Sequence, residues 1–261
     1  DSTMVKFIHY MILAFICFSN YPISFAHDSN NLYKKLYKLV LPRAKQGDIP
    51  SQFNLGKMYQ QGLGISKDLQ KAAKWYRLAA EQDHPEAQFN LGGMYYQGLN
   101  FPKNYQKAAK WYRLAAKQGH ASAQYNLGYM YYKGEGVAKD YRKTAEWTRF
   151  AANQGHFRAQ FFLAERYGKG QGVPKDHKEA AKWTLLSANQ KFDVAQYSLG
   201  LLYATGKGVP KDLVKAYKWL NLASLQGYKP ATNDRNRLAK KMTTLQVKKA
   251  ERLSKQWKSK K

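Results

Sequence analysis

The chain of 261 residues carries 44 Lys and Arg against 17 Asp and Glu, a net charge of +27, with 44% hydrophobic and 15% aromatic residues. That apolar and aromatic content excludes wholesale disorder, and a single cysteine, Cys17, excludes a disulfide scaffold and a thiolate metal cluster. The charge favours anionic partners such as acidic proteins, phosphate-bearing polymers or anionic membrane surfaces, and says nothing of the fold.

The N-terminal segment reads as a leader. Met4 resembles a natural start, Lys6 gives a positive n-region, and Phe7 to Phe18 is an apolar run of 12 residues. A membrane-spanning helix needs about 20. Pro22 and the small-residue pattern Ser24-Phe25-Ala26 complete the form of a secretory signal cut after Ala26. Residues 1–26 are expected to be a cleaved signal peptide, with an uncleaved N-terminal anchor as the alternative, and the protein is expected to be exported, periplasmic or extracellular. Ile16 ahead of Cys17 argues against a lipoprotein signal. Cleavage would remove Asp1, Lys6 and the cysteine, leaving the charge at +27.

Residues 27–47 are expected to form an N-terminal capping helix. Leu32 to Gly47 reads as a degenerate copy of the second helix of the repeat that follows, with Ala44 and Gly47 in register and Pro42 kinking its last turn. Residues 48–228 then hold five repeats of 36 residues without a gap. Tryptophan returns at Trp75, Trp111, Trp147, Trp183 and Trp219. So do Gln52, Gln88, Gln124, Gln160 and Gln196; Leu55, Leu91, Leu127, Leu163 and Leu199; and Tyr59, Tyr95, Tyr131, Tyr167 and Tyr203. A fixed period of this length predicts a solenoid, which grows by units and needs no single central core.

Each unit resolves into two helices. In the third, Ala123, Leu127 and Tyr131 lie on one stripe of a helix A. Gly134 and Gly136 permit the positive φ of the turn, and Asp140 is placed to cap a helix B that carries Ala145, Trp147 and the Ala151-Ala152 pair and ends at Gly155. In unit 2 Asn100 stands where the second loop glycine belongs, a residue that also tolerates the left-handed region. After unit 5, Ala231 opens one more helix A, expected to run to about Met242, and Thr243-Thr244 can cap a final helix holding Val247, Ala250, Leu253 and Trp257. Residues 229–261 thus read as basic C-terminal capping helices, with 12 Lys and Arg against Asp234 and Glu251.

Three stretches carry a family resemblance: Ala123-Gln124-Tyr125-Asn126-Leu127-Gly128, Gly134-Glu135-Gly136-Val137 and Ala151-Ala152-Asn153-Gln154-Gly155-His156. This pattern resembles the Sel1-like repeat, a helix-pair relative of the tetratricopeptide repeat, over about residues 48–228. The resemblance implies an all-α superhelix, a right-handed solenoid of helix-turn-helix repeats, and a protein–protein interaction role. Ala164 in place of the helix A glycine, and Phe192 and Tyr228 in place of the loop histidine, depart from the pattern.

No catalytic or metal site is expected, and no cofactor. His84, His120 and His156 recur at one loop position, but equivalent positions in stacked helices lie at least about 8–10 Å apart, whereas zinc–nitrogen bonds are about 2 Å; replacement by Phe192 and Tyr228 fits ring packing. No Gly-x-Ser-x-Gly, His-Glu-x-x-His or phosphate loop in the right register occurs. A cysteine-rich branch of the family is associated with β-lactams, so a β-lactam or cell-wall hydrolase stays as an alternative, although this chain lacks that branch's cysteines.

Binding surfaces remain. On helix A, opposite the Leu and Tyr stripe, the variable position reads Lys57, Gly93, Tyr129, Glu165 and Leu201, with Tyr96 and Tyr132 beside it. Asn54, Asn90 and Asn126 form a second ladder; the resemblance to tetratricopeptide proteins implies that such amides can clamp a peptide backbone, donating and accepting at once, while local capping or solvent exposure is the plainer alternative. The aromatics Phe53, Phe89, Tyr125, Phe161 and Tyr197 are expected to pack on the next repeat. Helix B carries a basic stripe including Lys71, Lys74, Lys107, Lys110, Lys182 and Lys218, either a solvated convex face or an anion-binding ridge. The sequence therefore predicts an interaction scaffold that takes an acidic peptide or protein surface in a concave helix A groove. Contact with anionic surfaces is a second possibility, and no specific nucleic acid is expected.

Overall fold

The computed structural model describes residues 24–259, and these form thirteen α-helices without a strand. The all-α helix-pair architecture predicted from the 36-residue period is what forms. Two compact units divide at Gln82 and Asp83. The first holds α1 (Ser24–Lys45), α2 (Ile49–Gln61) and α3 (Leu69–Glu81). The second holds α4 (Pro85–Gln97), α5 (Tyr105–Lys117), α6 (Ala121–Lys133), α7 (Tyr141–Asn153), α8 (Phe157–Lys169), α9 (His177–Asn189), α10 (Asp193–Thr205), α11 (Leu213–Ser224), α12 (Lys229–Ala239) and α13 (Thr244–Ser259). Residues 1–23, and with them most of the predicted leader, lie outside the described residues; α1 starts at Ser24, so the expected cut after Ala26 falls within its first turn. Among the described residues no helix is long and apolar enough to cross a membrane.

The helices begin and end where side chains satisfy their terminal amides. Every helix B starts behind an acceptor, Asp68, Asn104, Asp140, Asp176 or Asp212, whose side chain takes an amide of the first turn. The helix A caps are Asp48 and then the three histidines: Nδ1 of His84, His120 and His156 accepts from the amides of Ala87, Ala123 and Ala159 at 3.3, 3.1 and 3.2 Å. Helices α2, α4, α6, α8 and α10 all stop at a left-handed glycine. Asn100 adopts φ 72°, as the glycine it replaces would. Helix α1 begins at Ser24, ahead of the expected segment 27–47, and α12 ends at Ala239 rather than near Met242. Thr243 takes the amide of Gln246 while the Gln246 side chain takes the amide of Thr243, and a residue caught in this reciprocal cap cannot continue the helix before it.

The repeated apolar positions fill the interior. Leu55, Leu91, Leu127, Leu163 and Leu199 are buried, and so are the residues near the end of each helix B, the pairs Ala79-Ala80, Ala115-Ala116, Ala151-Ala152 and Ser187-Ala188 and, in the last repeat, Leu222-Ala223. The small helix A residue lets helix B come close: a Cβ on Gly92 would lie 2.9 Å from the Tyr112 ring. Four of the five repeat tryptophans are half-buried and Trp219 is buried, where it meets Trp257 of the closing helix edge-on at 5.7 Å. The aromatics Phe89, Tyr125, Phe161 and Tyr197 each pack on the ring that opens the next helix A, namely His120, His156, Phe192 and Tyr228.

A buried glutamine network runs beside this core. Gln124 donates to the Ala116 carbonyl at 3.0 Å and accepts from Gln154 at 2.7 Å, so one amide joins the end of the preceding helix B to the end of its own repeat's helix B. Gln52, Gln160 and Gln196 repeat both bonds with Ala44 and Gln82, Ala152 and Gln190, and Ala188 and Gln226.

Candidate functional site

Within the second unit the predicted residues Tyr96, Asn126 and Tyr129 come together. With Gln97, Tyr112 and Tyr125 they line a pocket of about 270 Å³. Its walls come from α4, α5 and α6, so no single repeat could build it. The Tyr96 hydroxyl donates to Glu135 at 2.7 Å, and burial together with that carboxylate raises its pKa above the usual phenol range. Tyr112, from helix B, forms the floor. Burial pushes its hydroxyl up to about 12 despite a hydrogen bond with the Asn126 side chain. Asn90 is half-buried on α4. Asn54 and Lys57 belong to the first unit, where Lys57 lies over the Phe53 ring at 5.7 Å.

One repeat further on the corresponding walls change. Helix B has Thr148 where the earlier repeats have Tyr76 and Tyr112, and helix A has Phe162 where they have asparagine. Phe162 fills the vacated volume and contacts the rings of Tyr125, Tyr129 and Tyr132 at 6.1, 5.9 and 5.3 Å. Arg166, at a position that is methionine in the three repeats before it, is 1% exposed. Its guanidinium lies 4.3 Å from the Tyr132 ring centre and 4.5 Å from that of Phe162, a doubly stacked cation. The hydrogen bond from Arg166 holds the Tyr132 phenol below its usual pKa. Glu165 sits at the edge of this cluster, 3.9 Å from the guanidinium. Leu201 lies apart from these residues and lines a second, larger pocket at the C-terminal end of the unit.

The basic stripe of helix B is tied into its own repeats. Lys71, Lys107, Lys143 and Lys215 each stand 5.4 Å from the ring centre of the helix A tyrosine, Tyr59, Tyr95, Tyr131 or Tyr203. Lys71, Lys143 and Lys215 also pair with the aspartate that caps their helix. Lys110, Lys182 and Lys218 lie over the neighbouring tryptophans, and Lys182 also pairs with Glu179. Burial lowers the pKa of Lys218. Lys74 is exposed. Much of the stripe thus serves to clamp helix B onto helix A.

Comparison with known proteins adds the family. Residues 49–84, 85–120, 121–156, 157–192 and 193–228 each match the Sel1 repeat. The chain belongs to the Sel1 repeat family. It is similar to a Sel1 repeat protein from Oxalobacter formigenes, 35% identical, with 76% of this chain and 79% of that one covered and a TM-score of 0.72. It is also similar to c5321, a protective antigen present in uropathogenic Escherichia coli strains that displays an SLR fold. That likeness is 34% identical, covers 86% of this chain and 56% of that one, and has a TM-score of 0.58. A curated relative, the sel1-like repeat-containing protein L21 of Acanthamoeba polyphaga mimivirus, is 43% identical over 49 residues, 19% of this chain and 9% of its own length. Sel1 repeat proteins are in general non-catalytic scaffolds that bind other proteins.

Two features of the site, Tyr112 and Arg166, carry no clear signal in the sequence. On helix B the recurring alanines, tryptophans and lysines are the stronger signal, and Tyr112 stands apart from them. Its spacing of 14 residues to Asn126 was visible, but only the packed repeats show that this offset is a contact. Arg166 was unremarkable in a basic chain. The histidines signalled both of their roles: immediately before the first helical residue they cap, and in register with Phe192 and Tyr228 they stack.

Proposed function

We propose that this Sel1 repeat protein is an exported interaction scaffold that recognises a peptide or a partner's surface along its helix A face, centred on the pocket of Tyr96, Gln97, Tyr112, Tyr125, Asn126 and Tyr129. The observation that carries the reading is that pocket: about 270 Å³, walled by aromatic rings, with the Asn126 side-chain amide among them. A volume of this size takes one bulky side chain. Tyrosines bury large area at low entropic cost, and Asn126 offers one backbone-like contact beside them. The net charge of +27 favours acidic partners and speeds their approach. Export is supported by the apolar leader with its small residues before Ala26.

The test begins with capture from native extract on the full chain, followed by titration of the purified partner against wild type, Asn126→Ala and Tyr129→Ala. Groove recognition predicts at least about a tenfold loss for each variant, roughly 1.4 kcal/mol, and little change between about 50 and about 200 mM salt. A binder of anionic polymers predicts the reverse, steep salt dependence and indifferent variants. Turnover of nitrocefin or muropeptides that a point mutation abolishes would favour the hydrolase instead.

A further inference from the structure

The second pocket, of about 460 Å³, is lined by Leu201, Ala204, Thr205, Lys211, Leu213, Leu220, Asp234, Arg237, Leu238 and Lys241. Its position in the repeat is the informative point. Ala204, Thr205 and Leu220 fall three periods of 36 residues after Tyr96, Gln97 and Tyr112, and Asp234 and Arg237 fall three periods after Asn126 and Tyr129. The two pockets are the same construction at two sites, each walled by one repeat's helix pair and the next helix A. Helix α12, expected only to cap the array, supplies the second wall here.

The chemistry of the walls has changed. Rings give way to aliphatic side chains, with Leu220 and Leu238 buried at the base. The rim holds Lys211, Arg237 and Lys241 against Asp234 alone. Asp234 is already engaged, accepting from the Tyr197 hydroxyl at 3.0 Å and pairing with Arg237. Among the described residues Lys211 and Lys241 make no ion pair and are exposed. An occupant matching both parts carries an aliphatic group and a carboxylate. A fatty acid offers these too, but with a single carboxylate, whereas an acidic peptide presents several to the three cations of the rim.

We infer that this pocket binds an acidic peptide segment bearing a bulky aliphatic side chain, which fills the leucine-lined base while its carboxylates pair with Lys211, Arg237 and Lys241. The inference rests on the groove reading for its register, but its residues are different, so the two readings fail separately.

The probe is a fluorescein-labelled dodecapeptide of alternating glutamate and leucine, titrated against the full chain by fluorescence anisotropy. Because the whole protein is strongly basic, general attraction is controlled with Lys110→Glu/Lys182→Glu, which changes the net charge as much as Arg237→Glu/Lys241→Glu but on helix B. The expected result is saturable binding. It should weaken at least about tenfold in Arg237→Glu/Lys241→Glu, and by a similar factor for a glutamate–alanine or glutamine–leucine peptide. The Lys110→Glu/Lys182→Glu variant should bind as wild type does. All four substituted cations are exposed, and circular dichroism confirms that each variant folds. Absent binding overturns the inference, as do equal losses in the two double variants, indifference to leucine, or displacement of the peptide by dodecanoate at lower concentration than by unlabelled peptide. Indifference of the first pocket's partner to Tyr129→Ala would sink that reading and leave this one standing.

Discussion

Gln154 donates to Gln124 across 2.7 Å, and Gln124 in turn donates to the Ala116 carbonyl. One buried amide therefore links two successive helix B ends. Gln124→Leu removes both bonds at once, although the carbonyl keeps the amide of Gly119, at a cost of about 1–3 kcal/mol, whereas Gln154→Ala, at an exposed position, removes one and costs about 1 kcal/mol. Urea denaturation of both variants should show this order, and equal losses would mean that the network contributes nothing beyond packing.

The three histidine caps predict an acid weakness. Burial lowers the pKa of His84, His120 and His156 from the ordinary value of 6.5, and only the neutral ring can accept an amide at Nδ1. A lowered folded pKa means that the unfolded chain binds protons first. The stabilisation is complete above about 6.5, falls as the pH drops below it, and is lost once the pH passes the folded values. The urea midpoint should decline between pH 7.5 and pH 5.5 (roughly one unit either side of the ordinary value). The triple change to Asn, which keeps a cap acceptor without a titrating ring, should flatten that decline.

Arg166 is a buried cation whose Nε and Nη1 have no hydrogen-bond partner. Arg166→Met restores the residue of the three preceding repeats and should raise the unfolding free energy by about 1–3 kcal/mol, since the desolvation cost disappears while the volume is kept. Arg166→Ala should instead lower it by about 3 kcal/mol through the cavity left between Tyr132 and Phe162. A melting temperature for Arg166→Met below that of wild type would show that the stacked guanidinium is a net stabiliser.

Two glycines with similar φ should respond unequally to alanine. Gly155, at φ 86°, has nothing within 4 Å of the position its Cβ would take, so Gly155→Ala carries only the backbone strain, about 1 kcal/mol. At Gly172, φ 75°, a Cβ would overlap the Tyr141 carbonyl, so Gly172→Ala should cost about 2–4 kcal/mol. Thermal melts of the pair test this directly.

Much of the fold was legible because each signal was repeated. The capping acids, the turn glycines and the Leu and Tyr stripe sit at fixed offsets, so one unit's reading corrects another's. The site was legible only in part. Tyr96, Asn126 and Tyr129 were identified from helix A, yet their shared wall Tyr112 belongs to helix B. Which helix B residue faces which helix A residue depends on the stacking angle, and no single helix's periodicity contains it. The exchange of Tyr112 and Asn126 for Thr148 and Phe162 shows the same dependence, with a volume lost on one helix regained on the next. Asp234 and Arg237 are hidden for another reason: the tail's polarity suits a cap, and a capping helix gives no sign of which of its polar residues line a pocket.

Because the two pockets occupy matching positions in equal-length units, the stretch between them is a modular spacer. Excising residues 141–176 would join Asp140 to His177, leave Asp140 in place to cap the following helix, and bring the pockets one unit nearer without altering a residue that lines either. A partner gripping both would feel the shortened span, and one gripping either alone would not.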